Sequence, residues 1–168
     1  MPHDCRAVAN AILDIAEARR LPLTHMAVHK IGYYAHGWYI ADQGVPLIVQ
    51  EFEAWRDGPV QRLVWDSLKV AGKTPVATRA TEANLATGGT TISRADLASD
   101  EFELLSHIVD GYGPLHAYEL SDMTHEKGGP WDQIYNAPGG KVTLGMRIPH
   151  RLIRDHFLSY GAQKGRSS

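Results

Sequence analysis

Histidines and hydroxyls are the groups in this chain with the most chemical potential. The 168 residues include nine histidines. His25 and His29 are four apart and share one face of any helix that carries them. Metal-dependent peptidases use that spacing, but they place a glutamate directly after the first histidine as general base. Here Met26, Ala27 and Val28 fill the gap, so no carboxylate stands between the two imidazoles. His36, His107, His116 and His125 all offer a third ligand, and no spacing selects one. Structural zinc usually recruits several thiolates, whereas Cys5 is the single cysteine. No metal and no cofactor is therefore expected, and histidines packed beside tyrosines are the commoner outcome for such a face.

Nucleophilic and phosphate chemistry find little support. There is no G-x-S-x-G elbow. Ser121, His125 and Glu126 lie close in sequence, but a triad is defined by geometry rather than by nearness along the chain. The Gly-rich stretch Thr87–Thr91 lacks the Gly-Lys-Ser/Thr that a phosphate loop needs, and Pro138–Lys141 reads as a turn. No catalytic residue is assigned, and a metal-dependent enzyme built on the His face stays as a rival reading.

The aromatic residues say more. The segment KIGYYAHGWYIA, Lys30–Ala41, packs Tyr33, Tyr34, His36, Trp38 and Tyr39 into one short stretch. Four tryptophans, Trp38, Trp55, Trp65 and Trp131, are spread over separate segments. Large rings of this kind fill cores with the indole N–H satisfied at the edge. They also dominate interface hot spots together with Tyr and Arg, at about 2 kcal/mol or more each. The candidates for contacting a partner are thus His25, His29, Tyr33, His36 and Trp38 on one segment, and Trp55, Arg56 and Asp57 on another.

The elements that position these residues follow from periodicity and punctuation. A helix over 4–20 is capped by Asp4 and carries Cys5, Val8, Ile12, Ile15 and Ala16 inward. Thr24 caps a second helix to about Asp42, and Gly44 ends it. Its Ala27–Ile31–Tyr34–Trp38 stripe reads as core. The opposite His25–His29–Tyr33–His36 stripe is either a second packed side or an exposed docking face. Leu47–Trp55 reads as a short strand or extended arm, and Asp57–Gly58 as a turn. Pro59 then suits the first position of a helix over 59–71, with Val60, Leu63, Val64, Leu68 and Ala71 inward. Residues 73–98, rich in Thr, Ala and Gly, read as a long connector. Ser99 caps a helix to about Asp110 with Phe102, Leu105, Ile108 and Val109 inward. Further helices are expected over 115–125, in a short turn at Trp131, and from Pro149 to Tyr160. A loop with one short strand is expected over 136–145, and a loose tail over 161–168. The fold class is mainly α: a compact single domain over 1–160 with at most a small β-hairpin or short sheet.

Composition narrows the functional classes. Hydrophobic residues make up 43% and charged residues 21%, with a net charge of −2. That balance provides no footprint for a polyanion, so nucleic-acid binding is not expected. No apolar run is long enough to cross a membrane, and the start lacks a basic leader. A cytoplasmic protein is expected.

Three blocks resemble the Panacea domain family. KIGYYAHGWYIA is similar to its K-L-L-Y-Y-A-Q-G-W-x-L-A helix, through Lys30, Tyr33, Tyr34, Ala35, Gly37 and Trp38. PLIVQEFEAWRDGPV resembles the next block, through Ala54, Trp55, Gly58, Pro59 and Val60. AYELSDMTHEKGGPW resembles the third, through Leu120, Thr124, His125, Glu126, Pro130 and Trp131. The blocks occur in family order. Gly32 departs from the family pattern, where Leu is usual, and such a glycine invites a close approach to the backbone. The resemblance implies a mainly helical antitoxin of a bacterial or phage toxin–antitoxin pair that neutralises a cognate protein toxin by direct contact. In the SocA branch it implies an adaptor that delivers the toxin to the ClpXP protease. It implies no catalytic activity, and it leaves the oligomeric state open.

Overall fold

The first helix forms where apolar residues recur at helical spacing behind a capping aspartate. In the computed structural model α1 spans Cys5–Ala18, and the Asp4 side chain accepts from the Arg6 N–H. The structure describes residues 1–139 and 146–166, with side chains as far as Gly161.

Helix α2, His25–Gln43, starts at the Thr24 cap and stops at Gly44, whose φ of 74° is left-handed. Every residue from Ala27 to Gly37 is buried. Helix α1 and the later helices α4 (Ser99–Tyr112), α5 (Ala117–Thr124) and α7 (His150–Arg166) pack around it. A helix enclosed on all sides needs no single apolar stripe. This is why the two stripes expected from the sequence are both packed. Gly37, not Gly32, is the site of close approach. A Cβ on Gly37 would lie 2.3 Å from Cε2 of Phe157, whereas one on Gly32 would meet Ile12 Cδ1 at an ordinary 3.8 Å.

The chain then forms a small antiparallel sheet of order β2-β1-β5, from Phe52–Trp55 (β1), Gly58–Val60 (β2) and Arg147–Ile148 (β5). Pro59 does not open a helix. It lies in β2, an edge strand paired only with β1, where a missing N–H is tolerated. Helix α3 follows as Arg62–Leu68, extended by a 3₁₀ turn over Lys69–Ala71, and Leu63 is exposed rather than inward.

The connector over 73–98 contains a second hairpin, β3 (Thr81–Ala83) with β4 (Thr90–Ile92). Its base is tied to α1. Asn10 donates to the Ala80 and Ser93 carbonyls and accepts from the Ala80 N–H. Helix α4, Ser99–Tyr112, has Ala98 at its cap position, so Ser99 is its first residue and not its cap. Phe102, expected inward, is 51% exposed, while Leu105, Ile108 and Val109 are buried. Helices α5 (Ala117–Thr124) and α6 (Pro130–Tyr135) lead to α7, which spans His150–Arg166 and so continues past Tyr160 into the stretch expected to be loose. The loop and strand expected over 136–145 fall, from residue 140 on, outside the described residues, as do residues 167–168. Among the described residues the architecture is mainly helical with two short antiparallel sheets.

Gly37 and Gly32 make a paired test of this packing. Gly37→Ala drives a methyl into the Phe157 ring and is expected to cost about 2 kcal/mol by overpacking. Gly32→Ala meets open contact distance and is expected to be neutral or to stabilise by up to about 1 kcal/mol. Urea unfolding of both variants checks the ranking, and the reverse order would contradict this α2–α7 contact.

Candidate functional site

The three motif blocks meet at one turn. Trp55 pairs with Gly58 across the β1–β2 hairpin, which leaves Arg56 and Asp57 as its two-residue loop. Gly58 has φ of 115°, a region that side chains rarely adopt. A Cβ there would also lie 2.5 Å from Thr124 Oγ1 and 2.7 Å from Lys30 Cε. The turn is therefore shaped by its neighbours from beneath. Lys30 Nζ donates to the Pro59 carbonyl at 3.0 Å and lies 3.1 Å from Met26 Sδ. Ser121 Oγ donates to the Asp57 carbonyl at 2.7 Å. Trp131 Nε1 donates to the Trp55 carbonyl at 2.6 Å. Thr124 is oriented in turn by donating to the Ser121 carbonyl.

Lys30 is wholly buried. Desolvation pushes its pKa down to about 7, with the Asp57 charge acting in the opposite sense. A neutral amine still donates to both partners, so the site holds together in either protonation state.

Aromatic rings brace the far side. His125 stacks on Trp131 with centroids 4.0 Å apart, and Tyr135 stacks on Trp131 at 4.6 Å. Glu126 accepts from Tyr160 and sits 3.3 Å from His156 Nε2, which fastens the α5–α6 loop to α7. Pro130 is the first residue of α6 and is buried.

Above the turn the arrangement opens to solvent. The Arg56 side chain is 86% exposed and lies 3.7 Å from the Asp57 carboxylate. Trp55 meets Trp65 edge to face with centroids 5.2 Å apart. Arg62 lies over the Trp55 ring at 5.0 Å, and Lys69 over the Trp65 ring at 4.4 Å. Glu53 accepts from both Trp55 Nε1 and Arg62 Nε at 3.1 Å. Stacked Trp and Arg held by a buried-edge carboxylate form a rigid amphipathic surface of the composition that favours protein contacts.

The remaining candidates lie elsewhere. His29, Tyr33 and His36 are inside the core and present no surface, so the docking reading of that stripe does not hold for them. His29 Nδ1 accepts from the Gln61 N–H. His36 Nδ1 accepts from the Ile48 N–H, which places the ring proton on Nε2, facing His150 Nδ1 at 3.1 Å. His150 Nε2 then meets the Val49 carbonyl at 3.2 Å. Burial pushes His36 down to about 3 and keeps it neutral in this chain of bonds. His25 is only partly buried, and Trp38 packs edge-on against Phe157 with Nε1 near Tyr112. Tyr34 stacks on Tyr112. Among the described residues no three His, Cys, Asp or Glu side chains gather as a metal site would. Sequence reasoning missed Arg62, Ser121 as an anchor, and the contact between Trp55 and Trp65. The signal for part of this was available: Arg62 and Trp65 on α3 and Lys69 just past its end recur at spacings of three and four.

What these features define is a mainly helical scaffold that holds one hairpin turn rigid and shows an aromatic–basic surface beside it. The chain belongs to the family described as antitoxin SocA-like, Panacea domain, whose model matches residues 28–132. It is 36% identical over 154 residues to the antitoxin SocA of Caulobacter vibrioides (strain NA1000 / CB15N), an alignment covering 92% of this chain and 82% of that protein. No solved structure matches it. Among the described residues no helix is long and apolar enough to cross a membrane.

Lys30 gives this site a pH signature. The unfolded chain keeps the lysine proton up to about 10.5, whereas the folded chain releases it near 7, so folding stability rises with pH between these values. Wild type is expected to gain about 2 kcal/mol between pH 7 and pH 9 relative to Lys30→Met, which has no proton to release. Urea titrations of both proteins at the two pH values measure the difference. The Cys5 thiol is common to both and cancels. Parallel stabilities would show that Lys30 keeps its ordinary proton affinity.

Proposed function

We propose that this chain is an antitoxin that neutralises a cognate protein toxin by direct, stoichiometric binding through the Trp55–Trp65 surface and the Arg56–Asp57 turn. The observation that carries the reading is the construction of that turn. Backbone carbonyls of Trp55, Asp57 and Pro59 are each held by a side chain from below, while the Arg56 side chain stands in solvent above. A turn fixed before the encounter loses little conformational entropy on binding. Trp55, Arg62 and Arg56 supply the residue types that dominate hot spots, and Asp57 and Glu53 add the opposite charge for orientation. Membership of the SocA-like antitoxin family supports the same role.

Delivery of the captured toxin to ClpXP would begin with the same contact and differ only in the fate of the toxin. Toxin half-life in cells with and without ClpX separates the two, and equal half-lives remove the adaptor reading.

The test of the contact is a double variant, Trp55→Ala with Arg56→Ala, co-expressed with the product of the neighbouring reading frame. The variant is expected to melt somewhat lower, since Trp55 packs on Trp65 and bonds Glu53, but to remain folded at the assay temperature, to bind the toxin about 100-fold more weakly, and to lose rescue of growth. Arg20→Ala, far from the turn, serves as the control. A double variant that binds and rescues as well as wild type would remove this surface from the mechanism.

A further inference from the structure

The second hairpin carries an open sheet edge with no guard. Strands β3 and β4 form a two-stranded sheet, so each has one unpaired edge. The two edges differ. Thr81 and Glu82 on β3 are half-buried, with Glu82 facing Arg6 of α1 at 3.8 Å. Thr90, Thr91 and Ile92 on β4 are all exposed. Natural proteins protect such edges with Lys, Pro or a bulge. From Ala83 to Ser93 this chain has no charged residue and no proline.

The hydrogen-bond register states which groups are free. Ser93 donates to the Ala80 carbonyl and Asn84 to the Gly89 carbonyl, in register with Glu82 opposite Thr91. Antiparallel pairs alternate between bonded and non-bonded, so Thr91 is turned inward to Glu82, and the N–H and C=O groups of Thr90 and Ile92 point away from β3. Their side chains share one face, and Ile92 is 42% exposed there.

We infer that β4 pairs with β4 of a second copy of this chain, antiparallel about a two-fold axis at Thr91, to give a four-stranded sheet. The strand is its own complement. With Thr91 opposite Thr91, Thr90 of one copy faces Ile92 of the other, and the four outward N–H groups meet the four outward C=O groups. No like charges are brought together, and threonine facing threonine is a favourable cross-strand pair. The β3 edge lacks this property, because Glu82 would be carried into the pairing. A two-fold contact of this kind is closed and cannot propagate into fibres. Asn10 fixes the base of the hairpin to α1 through three hydrogen bonds, so the edge is presented at a set angle and not on a loose arm. The contact uses neither Trp55 nor Arg56, so it stands apart from the toxin-binding surface proposed above.

Sedimentation equilibrium of the full chain over a range of concentrations is the first measurement. A monomer–dimer equilibrium that dissociates on dilution is expected, as only three residues per strand pair. Thr91→Lys places like charges at the axis, and Ile92→Pro removes an outward N–H that the β3–β4 ladder does not use. Each is expected to weaken the dimer at least tenfold with an unchanged melting curve. Thr91→Cys is expected to cross-link into a covalent dimer under oxidised glutathione much faster than Leu85→Cys, which sits 97% exposed away from the axis. Native Cys5 is buried and serves as an internal blank. A chain that stays monomeric at all concentrations, or equal cross-linking at the two positions, would overturn the inference. So would a β4 edge whose amides gain protection only when the toxin is added, since the edge would then belong to that partner's strand.

Discussion

A single buried amine sets the terms for the rest of the structure. Lys30 stands on a helix enclosed on every side, with no solvent to hydrate its head group. A polar group so placed must be hydrogen-bonded or its desolvation is unrecovered. The acceptor is the Pro59 carbonyl, and this fixes where the β1–β2 hairpin must sit. The hairpin can reach that position only if Gly58 has no side chain, because Lys30 Cε and Thr124 Oγ1 fill the space a Cβ would need. Lys30, Gly58, Pro59 and Thr124 are therefore one constraint distributed over three distant stretches of chain. Ser121 and Trp131 complete it by holding the adjoining carbonyls.

The same logic explains the aromatic density of α2. A helix that touches helices on every side and a sheet needs bulk in all directions, and tyrosine and histidine rings provide it, with His29 and His36 also accepting backbone N–H groups. Tyr33 meets both Phe52 and Phe157, Tyr34 stacks on Tyr112, and His36 bonds the Ile48 N–H. Residues that could ligate a metal on an open face are here the packing material of an interior, and their burial holds the histidines neutral.

Local signals in the sequence were a good guide where a single residue determines a boundary. Asp4, Thr24 and Gly44 act at the predicted ends of α1 and α2 because caps work through bonds only a few residues long. The helical class follows from the same short-range rules. Pro59 shows where such rules fail. First-turn proline is a preference, and the edge of a sheet satisfies the same ring, so the Lys30 contact decides between them. The β3–β4 hairpin was illegible for a related reason. Its strands have no apolar face, and what orders them is Asn10, seventy residues from Ala80. The convergence of the three motif blocks was readable only as order along the chain. Which side chains face the turn and which face solvent depends on the burial of α2, and a helix whose polar residues are inside defeats any reading based on stripes. The stripe His29–Tyr33–His36 was open between core and docking face for that reason.

Rigidity bears directly on how a binding protein without turnover must work. Such a protein inactivates its target only for as long as it occupies it, so the dissociation rate governs performance. Flexible loops gain adaptability and lose affinity to ordering, whereas a turn with three of its carbonyls already held has little left to order. On the proposed reading, the deep contacts around Lys30 and the exposed Arg56–Trp55 surface are two ends of one device: the buried end removes freedom so that the exposed end can hold. The buried end holds in either protonation state of Lys30, because its strength is set by hydrogen bonds and close packing that lie out of reach of salt. Surface pairs such as Arg56 with Asp57 are screened and contribute little to folding. They are thus available to be re-paired with a partner at small loss to the fold, which is the property a docking turn requires.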